Sequence, residues 1–260
     1  MPSPDSFFLH KLADAADTHT LPRFKSPLTV SNKNGSESGF DPVTEADIAA
    51  EEAIRAIISR EFPQHSILSE EFGASGRCNA QWVLDPIDGT RAFLSGMPNW
   101  GTLIGFMEDG RAVAGLMSQP FTGERFWADG DGAWSGDLKQ RASLRTSRVD
   151  DLSMAILHTT SPEYFDEAKR AGFARLSKTV RLTRYGGECY AAAMVAAGYV
   201  HLNFEPVLEP YDVVALIPII EQAGGVITRL DGGRPEIGGP ILASANPALH
   251  HAALELLNSS

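Results

Sequence analysis

The sequence predicts a mixed α/β fold in two closely packed subdomains, and three observations predict it. Segments with helical apolar spacing alternate with short apolar runs bounded by polar and turn residues. A block of successive strand-like segments from Trp100 to Ala128 interrupts that alternation with antiparallel texture. At 260 residues the chain exceeds a typical single domain, yet no shift in composition marks a flexible linker. The expected division falls between residues 1–145 and 146–260.

Phe7 to Ala16 has the apolar spacing of a packing helix that ends before Pro22. Leu28-Thr-Val30 reads as a strand, and residues 31–39 as a polar, glycine-containing loop with the composition of a mobile flap. Thr44 is placed to cap a helix running to about Arg60, with Asp47 at its third position, where an acid favours the dipole. Pro63 closes it. Ser66–Ser69 and Gln81–Leu84 read as buried strands that end in acids, Glu70-Glu71 and Asp85.

Gly101–Met107, Ala112–Met117 and Glu124–Ala128 follow as antiparallel strands, the first two joined by an Asp109-Gly110 hairpin turn. Helices are expected from Pro162 to Ala171, from Glu188 to Ala197 and from Val213 to Gln222, the last stopped by Gly224-Gly225. Strands are expected at Tyr199–Phe204 and Val226–Thr228. Asn246-Pro247 announces a C-terminal helix. There is no internal repeat or low-complexity tract.

A composition 43% hydrophobic and 21% charged excludes disorder and collagen-like repeats. No run approaches the roughly 18 apolar residues of a membrane span, and the start lacks a basic region followed by an apolar one, so no membrane role and a cytoplasmic location are expected. Cys78 and Cys189 are far apart and without a Cys-x-x-Cys partner. Two reduced, buried thiols are expected rather than a disulfide or zinc site. A net charge of −11 opposes binding to nucleic acid. An acidic protein that takes up a phosphate needs cations to do so.

In Asp85-Pro-Ile-Asp88-Gly-Thr90, two carboxylates lie three residues apart around a proline, and Gly89 permits a tight turn. Both acids can then face one point. Together with the Ile87 carbonyl they would supply half a shell of oxygen ligands to a hard divalent cation such as magnesium. The residues from Gly89 to Phe93 look like the first turn of a helix, whose free amides would receive a phosphate. The other reading is a turn in which Asp88 caps that helix and Asp85 pairs with a base.

Four segments, in order and across nearly the whole chain, resemble the inositol monophosphatase family of magnesium-dependent, lithium-sensitive phosphatases. They are Asp41-Pro-Val-Thr-Glu-Ala-Asp47, Ser69-Glu-Glu71, Asp85-Pro-Ile-Asp-Gly-Thr90, and Tyr211-Asp-Val-Val-Ala-Leu-Ile-Pro-Ile-Ile-Glu-Gln-Ala-Gly-Gly225. Tyr211 stands where the family usually has tryptophan. The resemblance implies a layered α/β/α/β/α sandwich of the inositol monophosphatase and fructose-1,6-bisphosphatase type, with the site between its two parts, and a homodimer. It implies that Glu70, Asp85 and the Ile87 carbonyl hold one magnesium, that Asp85, Asp88 and Asp212 hold a second, and that Glu70 helps place a third. Hydrolysis would then proceed by in-line attack of a metal-activated water on a phosphate monoester, with Thr90 and Asp47 orienting and deprotonating that water. For Asp47 the local alternative is a helix-start acid satisfied by nearby amides.

Within that family, Asp88 to Ile104, Gly186-Gly-Glu-Cys-Tyr190 and the Tyr211 segment resemble the histidinol-phosphate phosphatase branch, since inositol-type members usually carry Thr-Asn-Phe after the glycine. L-histidinol phosphate carries an ammonium and an imidazole, so its pocket should offer carboxylates. Glu205 occupies a position like the family's substrate-contacting glutamate. Glu188 is either a second contact or a complement to its own helix dipole. Gly89, Thr90 and Arg91 complete the expected substrate contacts, Arg91 having a neighbouring subunit or surface acids as other partners. Asn99 and Trp100 would form a wall beside the substrate or belong to the core. The histidines form no ligand cluster. The rivals are phosphatases for inositol phosphate, fructose bisphosphate or a nucleotide 3'-phosphate, and a noncatalytic relative that kept the fold.

Overall fold

The computed structural model describes residues 4–32 and 42–259. In α1 (Ser6–Thr20) the Asp5 carboxylate accepts from the Phe8 amide at 2.8 Å, and Leu9, Leu12, Ala13 and Ala16 form one buried stripe. The expected strand at residues 28–30 forms instead at β1 (Val30–Asn32). There it finds an antiparallel partner in β2 (Pro42–Thr44), while Leu28 packs on the aromatic cluster of Phe24, Phe93 and Trp100. The remainder of the expected 31–39 loop, and Asp41, lie outside the described residues. Thr44 and Asp47 form a reciprocal capping box at the start of α2 (Glu45–Glu61), whose Ala50, Ile54 and Ile58 are fully buried.

The first sheet contains β3 (Ser66–Ser69), β4 (Ala80–Asp88), then α3 (Thr90–Leu94) as an excursion, β5 (Gly101–Glu108), β6 (Arg111–Gln119), β7 (Glu124–Ala128), β8 (Ala133–Gly136) and β9 (Arg141–Ser143). These seven strands run in sequence order, β3 parallel to β4 and the others antiparallel. Asp109 (φ 48°) and Gly110 (φ 75°) make the expected hairpin turn. The sequence did not announce β8 and β9, because they are short and β9 is wholly exposed, so neither carries an alternating apolar pattern.

The second half supplies β10 (Ile156–Thr159), α4 (Glu167–Thr179), β11 (Leu182–Tyr185), α5 (Glu188–Ala196), β12 (Leu202–Leu208), α6 (Pro210–Val213), α7 (Leu216–Gln222), β13 (Val226–Arg229), β14 (Gly239–Ser244) and α8 (Pro247–Asn258). The five strands order as β11-β10-β12-β14-β13. The helix expected from Pro162 is a single 3₁₀ turn over Pro162–Tyr164; the Asp166 carboxylate then accepts from the Lys169 amide and starts α4 afresh. The strand expected from Tyr199 begins at Leu202, because Gly198 (φ 81°) ends α5 and the amides of Tyr199 and Val200 fold back onto the Met194 carbonyl. The helix expected from Val213 is divided into α6 and α7.

These elements stack in five layers, α/β/α/β/α. Helices α1 and α2 cover the outer face of the first sheet, α5 and α7 lie between the sheets, and α4 and α8 close the second. Along β4 the pattern alternates as a two-faced strand must: Trp82 and Leu84 pack under the outer helices, Val83 toward the middle layer. Gly105 and Gly115 are cross-strand partners on β5 and β6, and the backbone before α7 lies directly on them. A Cβ on Gly115 would stand 2.1 Å from the Ala215 carbonyl oxygen, and one on Gly105 would stand 2.9 Å from the Ala215 nitrogen. Asp212 is thereby brought against the first sheet. Cys189 is buried, but Cys78 is only partly so, which corrects the expectation of two buried thiols. Among the described residues no helix is long and apolar enough to cross a membrane.

A methyl group at Gly115 has nowhere to go unless the middle layer lifts off the sheet. Gly115→Ala should therefore cost about 1–3 kcal/mol in chemical denaturation, whereas Gly110→Ala, in open space but at positive φ, should cost only the turn strain of about 1 kcal/mol.

Candidate active site

The ends of β4, β12, α5 and α6 surround a cavity of about 490 Å³ whose lining includes Glu70, Asp85, Asp88, Glu188, Glu205 and Asp212. Asp85 shares the inward face of β4 with Val83, and in a regular strand Asp88, three residues on, would point the other way. A bulge prevents this. Asp85 pairs with Leu103 and Asp88 with Gly101, so two β4 residues, Pro86 and Ile87, stand opposite Thr102 alone. Pro86 has no amide for the ladder, and its carbonyl accepts from the Thr102 hydroxyl at 2.8 Å. The Ile87 amide donates to Asp85 Oδ1 at 3.0 Å, and the Thr90 hydroxyl to the Ile87 carbonyl at 3.2 Å.

Asp212 arrives from the other half of the chain, on α6, with its Oδ2 accepting from the Glu209 amide at 2.7 Å. One carboxylate oxygen from each of Asp85, Asp88 and Asp212 lies within 4.8 Å of the others. Glu70 is anchored beside them, its amide donating to the Leu84 carbonyl at 3.2 Å. Enclosure by protein raises the Asp85 and Asp212 carboxyls well above the usual range and pushes Asp88 up to about 6; neighbouring carboxylates, Glu70 in every case, push in the same direction. A hydrogen bond between the Asp85 and Glu70 carboxyls raises Asp85 further.

Asp88 does not cap α3, whose N-cap is Gly89 at φ 84° with no side-chain cap. Its Oδ2 accepts instead from the Cys189 amide at 2.7 Å, in the first turn of α5, and Asp85 is surrounded by acids rather than paired with a base. Both local alternatives therefore fail. Acids alone, all oxygen donors, enclosed and mutually repulsive, make a set that could hold a hard metal ion and gains stability when it does.

Asp47 is fully buried, its Oδ2 accepting from the Thr44 amide at 2.8 Å and from the Thr44 hydroxyl. Local groups therefore satisfy only half of this carboxylate. Its Oδ1 has no hydrogen-bond partner among the described residues, and burial pushes the group to about 6. Thr90 and Asp47 are not hydrogen-bonded to each other, the Thr90 hydroxyl being spent on Ile87.

Elsewhere in the cavity, Glu205 accepts from the Thr160 amide at 2.9 and 3.1 Å, from the Thr160 hydroxyl at 3.1 Å and from Asn203 Nδ2 at 3.2 Å. Burial nevertheless raises it to about 8. Glu188 begins α5 at φ 46°, and burial, with Asp88 adding, raises it to about 7. Gly89 is required beneath it, since a Cβ there would lie 2.8 Å from Glu188 Cγ. Arg91 lines the cavity and donates to the Tyr164 hydroxyl, its guanidinium 5.4 Å from that ring. Trp100 is fully buried among Phe24 and Phe93, away from the cavity, and Asn99 donates to the Gly186 carbonyl at 2.7 Å, so neither walls the site. Thr160, Asn203 and Tyr164 were not anticipated. Thr160 meets Glu205 only because β10 and β12 pair side by side, which no spacing in the sequence announces, whereas Asn203 lies two residues before Glu205 on the same face of β12, a period the sequence does carry.

A model of the inositol monophosphatase family matches residues 2–260. A histidinol-phosphatase of Streptomyces coelicolor is 42% identical over 256 residues, covering 96% of this chain and 95% of that protein. One of Mycobacterium tuberculosis is 36% identical over 253 residues, covering 95% of each. Among solved structures, an inositol monophosphatase from Zymomonas mobilis superposes with a TM-score of 0.86 at 35% identity, covering 97% of both chains.

Glu205 holds its proton in the folded chain up to about pH 8 but releases it near 4.5 once unfolded. Between those values the native state binds more protons, so stability falls as pH rises, by up to about 1.4 kcal/mol per pH unit. Glu205→Gln removes this slope. In metal-free protein its stability relative to the unaltered chain should rise from pH 5 to pH 8 in denaturant titrations; parallel curves would contradict the assignment.

Proposed function

The chain belongs to the inositol monophosphatase family, and on that premise we propose that it is a magnesium-dependent phosphomonoesterase acting on L-histidinol phosphate. The observation that carries the reading is a single cavity with a carboxylate cluster on β4 and α6 and two further carboxylates, Glu188 and Glu205, elsewhere in its lining. The first suits cations that bind a phosphate. The second suits a substrate that is itself cationic beyond its phosphate, where a neutral polyol would leave the buried Glu205 without a charge partner. Similarity to the Streptomyces and Mycobacterium proteins supports the same choice.

Glu70, Asp85, Asp88, Asp212 and the Ile87 carbonyl would hold two or three magnesium ions. When bound, these neutralise the phosphate and make an attacking water more acidic. The chain's own groups do the rest. The free Oδ1 of Asp47 is an acceptor for the proton of the attacking water, while Oδ2, held by Thr44, keeps the carboxylate from turning away. Thr90 steadies the Ile87 carbonyl and, with Gly89 and Arg91, lies where the phosphate would sit. Glu188 and Glu205 receive the ammonium and imidazole, Thr160 and Asn203 fixing the direction of Glu205. Water adds to phosphorus as the bond to the ester oxygen in line with it breaks, and that oxygen takes a proton from solvent to leave as the substrate's alcohol. No residue need carry the phosphoryl group.

The second reading, hydrolysis of inositol monophosphate, is favoured by the likeness to the Zymomonas enzyme. A panel assay at equal magnesium separates the two: kcat/KM for histidinol phosphate should exceed that for inositol monophosphate, and the opposite order would sink the preferred substrate. Glu205→Gln should lower kcat/KM for histidinol phosphate by about ten- to a hundredfold, with a much smaller change for a phosphate ester lacking a cationic group.

Asp88→Asn should reduce turnover by more than about a hundredfold while circular dichroism shows a folded chain. Chelation should abolish the activity of the unaltered protein, and added Mg2+ should restore it. Full activity in the variant would remove Asp88 from the metal set.

A further inference from the structure

Outside the cavity, one buried ion pair grips the turn that bears Glu70. Glu51 lies on α2, one helical turn after Asp47, with no exposed surface. Its Oε1 accepts from Arg55 Nε at 2.8 Å, from the Phe72 amide at 3.2 Å and from the Ser69 hydroxyl, and its Oε2 accepts from the Glu71 amide at 2.9 Å. Arg55 extends the grip. Its Nη2 donates at 2.6 Å to both Ser69 Oγ and the Gly73 carbonyl, its Nη1 donates to Ser75 Oγ at 3.0 Å, and its guanidinium lies 5.7 Å from the Phe72 ring.

Three consecutive amides are thereby accounted for: that of Glu70 on β4, and those of Glu71 and Phe72 on Glu51. The backbone on both sides of Glu70 is held, from the sheet before it and from α2 after it. Helix α2 is already held to the sheet by the packing of Ala50, Ile54 and Ile58. Spending every bond of the Glu51 carboxylate on this turn and on the arginine that binds the same turn is what fixing the Glu70 carboxylate against repulsion from Asp85 would require. We propose that Glu51, with Arg55, is a positioning pair for Glu70 and that it sets the affinity of the carboxylate cluster for divalent cation. The proposal rests on the metal reading above.

Calorimetric titration of the full chain with Mg2+ alone, without substrate, tests it. Glu51→Gln should weaken Mg2+ binding by about 10- to 100-fold, and raised Mg2+ should restore kcat with little change in KM. In a double-mutant cycle the loss must pass through Glu70, so Glu51→Gln/Glu70→Gln should bind Mg2+ as Glu70→Gln does. Wild-type affinity in Glu51→Gln, or an undiminished further loss on the Glu70→Gln background, would overturn the proposal. If Glu51→Gln fails to fold, Arg55→Lys decides. It keeps a charge for Glu51 but gives up the fork onto Ser69 and Gly73, so several-fold weaker binding supports the positioning role and unchanged binding overturns it. An unaltered chain that takes up no Mg2+ would overturn the metal reading and this proposal together, whereas unchanged binding in the folded variants overturns the positioning role alone.

Discussion

Carboxylates drawn from distant parts of the chain are enclosed at one point, and their mutual repulsion is the constraint to which the rest of the structure answers. Asp85, Asp88 and Asp212 converge within 4.8 Å, and Glu70 adds its charge to each. Such a cluster opposes folding unless protons or cations neutralise it. The same repulsion is what a cation among these carboxylates would relieve.

Among the described residues, each of the three aspartates is held by a backbone amide rather than by a base. Asp85 takes the Ile87 amide, Asp88 the Cys189 amide, and Asp212 the Glu209 amide. Amide donors stabilise a carboxylate without neutralising it, and they leave its second oxygen directed elsewhere. A lysine or arginine in their place would occupy the point toward which the three aspartates turn, where a metal ion could be held. Packing supplies the remaining restraint. The paired glycines Gly105 and Gly115 let the backbone near Asp212 descend onto the first sheet, and the bulge at Pro86 turns Asp88 to the side of Asp85.

A different solution governs Glu188 and Glu205. Glu205 is satisfied by Thr160 and Asn203, yet burial still favours its neutral form, which a cationic group beside it would oppose. Glu188 is raised by burial and by Asp88 and lowered by Arg91. The charges in the cavity are therefore linked, Asp88 acting on Glu188 and Glu188 on Glu205.

Much of this was legible in one dimension. The periodicity of α1 and α2, the Thr44 cap, the Asp109-Gly110 hairpin and the Asn246-Pro247 helix start are local, each depending on residues within a turn or two, and the structure has them where the sequence put them. The acid-rich segments were legible for the same reason, since residue type and spacing are written in the chain. What the chain could not announce depends on partners far away in sequence. The short strands β8 and β9 form only because a sheet edge is there to receive them. Asp88, at the end of β4, accepts from an amide at the start of α5, 101 residues on, and Thr160 meets Glu205 only across paired strands. By itself the sequence determined which acids and which local elements exist; the tertiary structure alone decided toward which point the acids turn, because a side chain's direction is set by bulges, cross-strand register and the close approach of layers, none of which is a property of neighbouring residues.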